Sequence, residues 1–376
     1  MIEIKANRWL ISIIAITGLY CFFFMDEILS KRIDTADSDK TNYILAGDGI
    51  KDDTAAIQAA IDRTPSGGTL NLPAGVYKLS GNPKFKAVTG YGESFFALKI
   101  TKPITIVMEE AIFKTDTDEE YGVFWIHNTS EVHLNGGFLL GDKFPEDAEL
   151  FSNIAVLMQE SQNSSIENMY TKNFSQGIHL HHSDHNIIRN VTAEYNYGSG
   201  IINFASNNNV IDSCVVRNSS DGHLSLYGGG ESNRVVNCVV TENRPGFNIE
   251  QGITVESEKK SIIENCTVSG FYYGIDVKNG SDSIIIKSNN AFNNEYNIAV
   301  RPGDGGKNLK APSYNIQIIN NLALDPREGS ANGIYVGTGE GHIVIGNTIN
   351  ENHLIISDGE MLEEYSGKNF FVEEGS

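Results

Sequence analysis

The sequence predicts an all-β solenoid, a parallel β-helix, on the strength of three observations. From about Ser130 onward, short apolar runs recur roughly every 22 to 28 residues. Each run is followed by glycine and a second short alternating strand, with no helical period between them. The chain also holds 37 Gly against 9 Pro and is rich in Asn, and both Gly and Asn weaken helix interiors. A repeat of this length, built from strands and turns, is typical of a β-helix.

Two kinds of strand make up each predicted coil. The apolar runs include Ile187–Val191, Val235–Val239 and Ile262–Cys266, and the glycine-led strands include Gly177–Leu180, Gly274–Val277 and Gly333–Val336. One turn position, with stacked side chains and positive φ, is predicted for Asn168, Asn190, Asn237, Asn265, Asn321 and Asn347. Cys214, Cys238 and Cys266 follow at the next position and are predicted as buried, inward-facing thiols. Their odd number argues against a closed disulfide framework.

The N-terminus is predicted to be a separate segment. Lys5 and Arg8 precede an uncharged apolar run, Trp9–Met25, which is the pattern of an export signal or signal anchor. An uncleaved anchor over residues 1–25 is favoured over a lipoprotein at Cys21, because no small residue precedes that cysteine. The predicted divisions are the anchor, a polar linker (26–43), the β-helix domain (44–360) and a tail (361–376). The domain is expected outside the cytoplasm, in the periplasm or on the surface if the source is bacterial.

The charge balance bears on the partners. The chain has 28 Lys+Arg against 48 Asp+Glu, a net charge of −20, which disfavours nucleic acid. A membrane contact is expected through the N-terminal segment only, and the oligomeric state is left open. A groove can still be locally cationic where Lys and Arg cluster.

The start of the domain carries a specific motif. Gly47–Thr54 leads into an apolar-faced helical stretch with Ile57, Ala60 and Ile61. Asp53 or Thr54 is expected to cap that helix through its side chain. The following segment, Gly67–Tyr77, is predicted as strand, turn and strand. A helix placed here is expected to close the open apolar end of the solenoid.

These segments resemble the N-terminal motif of the pectate-lyase-like right-handed parallel β-helix superfamily, in the subgroup shared by rhamnogalacturonases, related epimerases and phage tailspikes. The motif covers roughly residues 46–80, and the repeat extends the resemblance to about residue 357. The resemblance implies a right-handed coil with a polysaccharide, often one that contains uronate, lying along a groove. It marks the fold more firmly than the reaction.

Alignment of the glycine-led strands predicts where that groove lies. One outward column holds His181, the Ala205 region, Tyr227, Glu256, Lys278 and Arg301, and its neighbour holds His179, the Asn203 region, Ser225, Thr254 and Asp276. Equivalent residues of adjacent coils are about 4.8 Å apart, so such a column follows a sugar chain. The register is open by one residue around Ile201–Ala205 and in the longer coil Asn243–Gln251.

The predicted catalytic residues are Glu256, Asp276, His181 and Tyr227 of these columns, with Glu250 of the longer coil as a further candidate. The predicted substrate-binding residues are Lys278, Arg301 and His179 of the columns and Arg244 of the longer coil. Glu256 and Asp276 would lie about 7–8 Å apart on a diagonal, which suits an inverting glycosidase. A lyase or epimerase instead needs a base near C5 and cations on the uronate. His179 and His181 lack a third ligand for zinc. No metal or cofactor is therefore predicted, although a divalent cation such as calcium stays open.

Two short stretches also resemble mannuronan C5-epimerases. Gly177–His181 is similar to their Gly-aromatic-Asp-Pro-His stretch, but His179 and Leu180 stand in place of Asp and Pro. Arg244–Asn248 is similar to a later stretch of the same enzymes. The polygalacturonase constellation is absent from the sequence. The sequence thus predicts an exported enzyme that cleaves or modifies an anionic glycan, as a lyase or hydrolase before an epimerase. The alternative is a non-catalytic glycan-binding or adhesive β-helix.

Overall fold

The computed structural model describes residues 45–89, 92–115, 121–141, 153–246, 249–303, 311–327, 332–350, 354–356 and 368–373. The predicted anchor and linker, at 1–25 and 26–43, lie outside these residues, as does most of the predicted tail. Within the described part of the chain, no helix has the length and apolar character needed to cross a bilayer.

The described residues form one α-helix, α1 (Thr54–Arg63), and 36 strands. The first twelve strands are β1 (Asp48–Asp52), β2 (Thr69–Asn71), β3 (Gly75–Leu79), β4 (Asn82–Thr89), β5 (Gly92–Ile100), β6 (Ile104–Val107), β7 (Ala111–Thr115), β8 (Tyr121–His127), β9 (Val132–Asn135), β10 (Phe138–Gly141), β11 (Ile154–Gln159) and β12 (Ser165–Glu167). The next twelve are β13 (Tyr170–Lys172), β14 (Gln176–His181), β15 (Ile187–Arg189), β16 (Thr192–Glu194), β17 (Ile201–Phe204), β18 (Val210–Asp212), β19 (Val215–Arg217), β20 (Leu224–Tyr227), β21 (Arg234–Val236), β22 (Val239–Thr241), β23 (Gln251–Glu256) and β24 (Ile262–Glu264). The last twelve are β25 (Thr267–Ser269), β26 (Tyr273–Lys278), β27 (Ile285–Lys287), β28 (Asn290–Phe292), β29 (Tyr296–Arg301), β30 (Gln317–Ile319), β31 (Leu322–Leu324), β32 (Asn332–Val336), β33 (Ile343–Ile345), β34 (Thr348–Asn350), β35 (Leu354–Ile356) and β36 (Phe370–Val372).

Three long sheets run along the solenoid. Sheet A has the order β1-β3-β7-β10-β13-β16-β19-β22-β25-β28-β31-β34-β36, sheet B the order β2-β6-β9-β12-β15-β18-β21-β24-β27-β30-β33, and sheet C the order β35-β32-β29-β26-β23-β20-β17-β14-β11-β8-β5-β4. Each strand pairs with its equivalent in the next coil, and among the described ladders only β4 and β5 pair antiparallel. The described residues thus form a parallel β-solenoid of about 11 turns, which confirms the all-β solenoid part of the predicted fold.

The interior is a set of apolar columns. One column of sheet C consists of Ile178, Ile201, Leu224, Ile253, Ile275, Ile298 and Ile334, all fully buried. Burial of such side chains contributes roughly 1.5–3 kcal/mol each before the cost of ordering the chain. The inward columns of each strand therefore fix which side chains face outward.

Helix α1 lies where the motif predicts it, but its N-terminus is built differently. Ile57, Ala60 and Ile61 are buried as expected. The prediction of a side-chain cap from Asp53 is wrong, because the Asp53 carboxylate accepts hydrogen bonds from the backbone N–H groups of Ala46 (2.6 Å) and Gly47 (3.0 Å). Asp52 Oδ1 instead accepts from the Thr54 N–H at 2.9 Å. Asp53 therefore connects the segment that leads into β1 with the start of the helix.

The predicted turn position is occupied by four of the six asparagines. Asn168, Asn190, Asn237 and Asn265 all have φ between 52° and 56°, in the left-handed region that Asn tolerates. The assignment of Asn321 and Asn347 to this position is wrong by one residue. Asn320 (φ 54°) and Gly346 (φ 70°) hold the left-handed turn in those coils.

Asn321 and Asn347 belong to a second, buried column that continues the cysteine column. The Asn289 Oδ1 atom accepts from the Cys266 N–H (2.8 Å), and Asn321 Oδ1 accepts from the Asn289 N–H (2.9 Å). Asn347 and Asn369 repeat the contact in the following coils. We call this run of side chains, Asn289, Asn321, Asn347 and Asn369, the asparagine ladder.

The thiols make the corresponding contact with the preceding coil. The sulfur atoms of Cys214, Cys238 and Cys266 each lie 3.7 Å from a carbonyl oxygen one coil back. The Asn289 Nδ2 group donates to the Ile263 carbonyl at 3.0 Å in the same way. All three cysteines are buried and free, as predicted.

Candidate functional site

The outer face of sheet C carries the two predicted columns. The strand register aligns His181, Phe204, Tyr227, Glu256, Lys278 and Arg301 in one column and His179, Ile202, Ser225, Thr254 and Asp276 in the next. The order of the predicted side chains along the solenoid is therefore confirmed. Both columns differ from the prediction in one coil, by a single residue.

The difference lies in β17, where the register was open. Phe204 replaces the Ala205 region in the first column, and Ala205 lies in the turn with a φ of 46°. Asn203 pairs with the inward positions Leu180 and Leu226 and is fully buried. Its amide oxygen accepts from Asn209 Nδ2 at 2.8 Å, which satisfies a polar side chain inside the coil. The alternation of polar and apolar residues gave the wrong register here, because a polar residue occupies an inward position.

A cleft of about 270 Å³ lies over the middle coils of sheet C. Its walls are Ser199, Ile202, Asp221, Ser225, Tyr227, Glu250, Gln251, Thr254, Glu256 and Lys278. Four of the predicted site residues, Tyr227, Glu250, Glu256 and Lys278, thus meet in one concave surface. Tyr227, Glu256 and Lys278 come from three adjacent strands in direct register.

Lys278 lies between two carboxylates. Its Nζ atom is 3.6 Å from Glu256 Oε2 and 3.7 Å from Asp276 Oδ2, both longer than a direct hydrogen bond. The other oxygen of Glu256 accepts from Asn279 Nδ2 at 2.5 Å. The ammonium group is mostly buried, and it lines the cleft. It is therefore the predicted cation best placed to meet a substrate.

Gln251 orients this ammonium group. The amide satisfies its neighbours when its oxygen accepts from Lys278 Nζ at 2.7 Å and from Arg301 Nη2 at 3.3 Å. In that orientation its nitrogen donates to Thr254 Oγ1 at 3.0 Å. Gln251 thus links the Lys278 ammonium group in the cleft to the Arg301 guanidinium group behind it.

Asp276 and Arg301 form a buried pair behind the cleft. Arg301 donates from Nε and Nη2 to the two oxygens of Asp276, both at 2.8 Å. Asp276 is fully buried, and the Arg301 guanidinium lies 4.0 Å from the centre of the Tyr273 ring. Its Nη2 atom is also 3.3 Å from Glu250 Oε1. A bidentate pair of this kind is fixed in geometry and costly to break.

This pair changes two predicted roles. Asp276 presents no surface to a substrate, and Lys278 lies between it and Glu256, so the expected water-filled gap of an inverting acid–base pair is not formed here. Arg301 is likewise committed to Asp276 and Glu250 rather than placed in the cleft wall. The expectation of a locally cationic groove also fails, because carboxylates accompany both Lys278 and Arg301.

Arg244 lies apart from the cleft wall. Its guanidinium donates to both carboxylate oxygens of the buried Glu242, at 3.0 and 2.6 Å, and to the Ser219 carbonyl. The predicted substrate-binding role therefore does not fit, because these contacts give Arg244 a structural role in its long coil. Phe247 and Asn248 of the same stretch lie outside the described residues.

His179 and His181 lie beside the cleft rather than in its wall. His179 is fully buried between Leu157 and Ile202 of its column, so it offers no surface for the predicted substrate contact. His181 is nearly buried and stacks on Phe204, with ring centres 5.1 Å apart. Burial, with a smaller contribution from the neighbouring His181 imidazole, lowers the pKa of His179 to about 3. Burial, with a smaller contribution from His182, lowers the pKa of His181 to about 4. Both imidazoles are neutral at pH 7.

The buried His179 should make the fold sensitive to acid. A histidine whose folded pKa lies below its unfolded value stabilises the fold above pH 6.5, and that stability is lost as the pH falls towards 3. Between pH 7 and pH 4 the free energy of unfolding should drop by roughly 3 kcal/mol on this account. His179→Leu, which matches Leu157 and Ile202, should remove that part of the drop in urea titrations. His185→Asn, at an exposed turn, is the control, and equal pH profiles for both variants would refute the assignment.

The cleft also contains residues that the sequence did not single out. Asp221 and Ser199 come from the turns that precede β20 and β17, and Gln251 starts β23. Each of the three directly precedes a glycine at or near the start of a sheet C strand, and this position is the sequence signal that could have identified them. Within the described residues, no group of three or more His, Cys, Asp or Glu side chains is arranged to hold a metal ion.

Known proteins share parts of this architecture. A family model described as "Right handed beta helix region" matches residues 151–291. Over 37 residues, 9% of this chain, the sequence is 65% identical to mannuronan C5-epimerase AlgE1 of Azotobacter vinelandii, and the match spans only 3% of that protein. The A-module of mannuronan C-5 epimerase AlgE4 of Azotobacter vinelandii superposes with a TM-score of 0.66 at 16% identity, covering 89% of this chain and 95% of that one.

Two further solved structures are similar in fold. The endo-xylogalacturonan hydrolase from Aspergillus tubingensis has a TM-score of 0.54 at 14% identity, covering 88% of this chain and 95% of the hydrolase. The tailspike protein of Escherichia coli bacteriophage HK620, solved with a pentasaccharide, has a TM-score of 0.63 at 14% identity, covering 87% of this chain and 62% of the tailspike. Similarity at such identities shows the fold rather than the reaction. The chain is therefore a right-handed parallel β-helix, with the fold of the superfamily that its N-terminal motif resembles.

Proposed function

We propose that this chain is a glycan-processing enzyme that acts on a uronate-containing polysaccharide bound in the sheet C cleft. The observation that carries the proposal is the convergence of Tyr227, Glu256 and Lys278 in register on three adjacent strands. Concave sites with a few converging polar groups are where small molecules and polymers bind. The epimerase and hydrolase among the similar structures act on uronate polymers by their names, which supports the substrate class.

The geometry suits proton transfer at C5 of a uronate. Lys278, whose contacts with Glu256 and Asp276 are long, would turn its ammonium group to the sugar carboxylate and reduce the negative charge that opposes loss of the C5 proton. Once Lys278 has moved to the sugar, the Glu256 carboxylate would accept the C5 proton, and the Tyr227 hydroxyl would donate a proton to the departing C4 oxygen or to the other face of C5. Asp276 and Arg301 would hold the strands and Gln251 in place. Loss of the C4 oxygen would make the enzyme a lyase, and return of a proton to the other face of C5 would make it an epimerase.

A hydrolase is the second candidate, and the three carboxylates of the cleft favour it. Asp221, Glu250 and Glu256 line one cavity, and glycosidases use a pair of carboxyl groups as acid and base or nucleophile. The pair would then be Glu256 with Asp221 or Glu250, in place of the predicted pair of Glu256 and Asp276.

One assay separates the reactions. The full chain is incubated with polymannuronate, polygalacturonate and a neutral glucan. Ultraviolet absorbance of unsaturated uronate would indicate a lyase, new reducing ends without that absorbance a hydrolase, and inverted C5 centres in proton NMR spectra an epimerase. Binding of polymer without any of these products would indicate the non-catalytic glycan-binding alternative. No product and no binding across a wider panel of acidic glycans would refute the proposal.

We also propose that residues 1–25 anchor the protein with its β-helix outside the cytoplasm. The support is the Lys5 and Arg8 flank before the apolar run Trp9–Met25. Membrane fractionation tests the anchor, and protease added after the outer envelope has been opened but with the inner membrane intact tests the topology. Release of the β-helix domain from the membrane by this protease is expected, and a domain that is released only after the inner membrane is broken would refute the topology.

Helix α1 is proposed to close the first coil, since Ile57 and Ile61 belong to the interior cluster of the solenoid.

A further inference from the structure

A cluster of four tyrosines lies next to the cleft on the C-terminal coils. Ring centres are 4.7 Å apart for Tyr272 and Tyr273, 5.1 Å for Tyr273 and Tyr296, and 5.5 Å for Tyr296 and Tyr335. All four residues are partly exposed. We call Tyr272, Tyr273, Tyr296 and Tyr335 the tyrosine cluster. The proton-transfer chemistry proposed for the cleft does not use it.

The tyrosine cluster is continuous with the cleft. Gln251, in the cleft wall, pairs in register with Tyr273, and Tyr273 pairs with Tyr296. Arg301 connects the two regions from behind, since its guanidinium lies 4.0 Å from the Tyr273 ring and contacts Glu250 of the cleft wall. Adjacent coils are about 4.8 Å apart, so the coil of Tyr335 lies about 14 Å along the solenoid from that of Gln251.

The rings suit a sugar chain better than a protein core. Tyrosine offers a flat apolar face with a polar hydroxyl, and such rings are enriched where a surface binds a partner. The rings of Tyr272 and Tyr296 are also close, with ring centres 5.6 Å apart and planes inclined at 44°. Tyr335 stands on the outward side of β32, between the buried Ile334 and Val336.

We propose that the tyrosine cluster is a distal subsite that stacks against sugar rings of a polysaccharide whose reacting residue lies in the cleft. The inference rests on the proposed function and extends it, because it makes the enzyme selective for long chains. A short oligosaccharide fills the cleft alone, whereas a longer one also covers Tyr296 and Tyr335.

The test compares chain lengths in a Tyr296→Ala/Tyr335→Ala double variant of the full chain. The probes are a disaccharide, about as long as two coils, and a dodecasaccharide of the uronate polymer that the wild-type protein processes or binds. The wild-type protein should favour the dodecasaccharide in kcat/KM, or in affinity if it only binds. The double variant should lose about five- to tenfold for the dodecasaccharide and remain within about twofold for the disaccharide.

Two controls separate stacking from damage to the fold. Tyr314→Ala removes an exposed ring on another part of the coil, where the Tyr314 backbone forms a bridge with Asp282, and it should leave both probes unchanged. Tyr296→Phe/Tyr335→Phe keeps the rings and should retain the preference for long chains. An equal loss on both probes, or no loss on either, would overturn the subsite. If the wild-type protein neither processes nor binds any probe, the proposed function itself fails.

Discussion

Replacing Lys278 with methionine should lower turnover of a uronate polymer by roughly a hundredfold or more, with most of the loss in kcat. Removal of one preorganised donor to developing negative charge typically costs two to three orders of magnitude. Methionine keeps much of the length of the side chain but cannot stabilise charge at the sugar carboxylate. Steady-state kinetics on the polymer identified by the product assay would measure the effect.

The control for this change is Lys287→Met. Lys287 lies on β27 in sheet B, is partly exposed and pairs with Glu264 at 3.1 Å, so its replacement should leave turnover within about twofold. Thermal unfolding of both variants would check the fold, since Lys278 neighbours the buried Asp276. A Lys278→Met enzyme with wild-type kcat on uronate would remove Lys278 from the mechanism. A large fall in the unfolding temperature of Lys278→Met, together with the loss of turnover, would favour a structural role.

Replacing Asn321 with alanine should lower the free energy of unfolding by about 3–5 kcal/mol, because buried polar groups lose their partners. The Asn321 amide accepts from the N–H and Nδ2 groups of Asn289, and it donates to the Ile286 carbonyl and to Asn347 Oδ1. The side chain is fully buried, so water cannot replace these contacts without opening the coil. Urea unfolding at pH 7 would measure the change.

Two further variants at this turn make the test specific. Asn320→Gly changes the exposed neighbour at a left-handed φ that glycine adopts freely, and it should cost less than about 1 kcal/mol. Asn321→Cys should be milder than the alanine change, because Cys266 occupies the same column and contacts the carbonyl one coil back. If Asn321→Ala and Asn320→Gly lower the free energy of unfolding by the same amount, the asparagine ladder is not a main source of stability.

The sequence was sufficient to predict the solenoid, because the period of the repeat and the alternation of apolar and polar residues are local signals. The spacing of the apolar runs sets the coil length, and the glycine-led strands align Tyr227, Glu256 and Lys278 without long-range information. The predicted register was wrong in β17, where Asn203 faces inward and its amide oxygen accepts a hydrogen bond from Asn209. Pattern reasoning assumes that inward residues are apolar, so one satisfied polar residue shifts the alignment.

The electrostatic partners of the site could not be predicted in the same way. Arg301 was expected at the substrate because it is outward in sequence, yet the Asp276 carboxylate one coil back takes both of its donors. Arg244 is similarly taken by Glu242, two residues before it. Such pairings depend on side-chain direction and burial, which alternation alone does not give.

The asparagine ladder also gives the coils an order of dependence. The N–H of each rung is bonded by the side chain of the following coil, so Asn289 depends on Asn321, Asn321 on Asn347, and Asn347 on Asn369. Losing the last strand would leave the Asn347 N–H and the Val344 carbonyl without these bonds to Asn369. Each coil that opened would in turn remove the side-chain acceptor of the coil before it, so unfolding would proceed from the C-terminal coils towards Asn289. In this region the segment Asn369–Val372 therefore protects the C-terminal side of the asparagine ladder, because Asn369 completes the hydrogen bonds of the Asn347 coil.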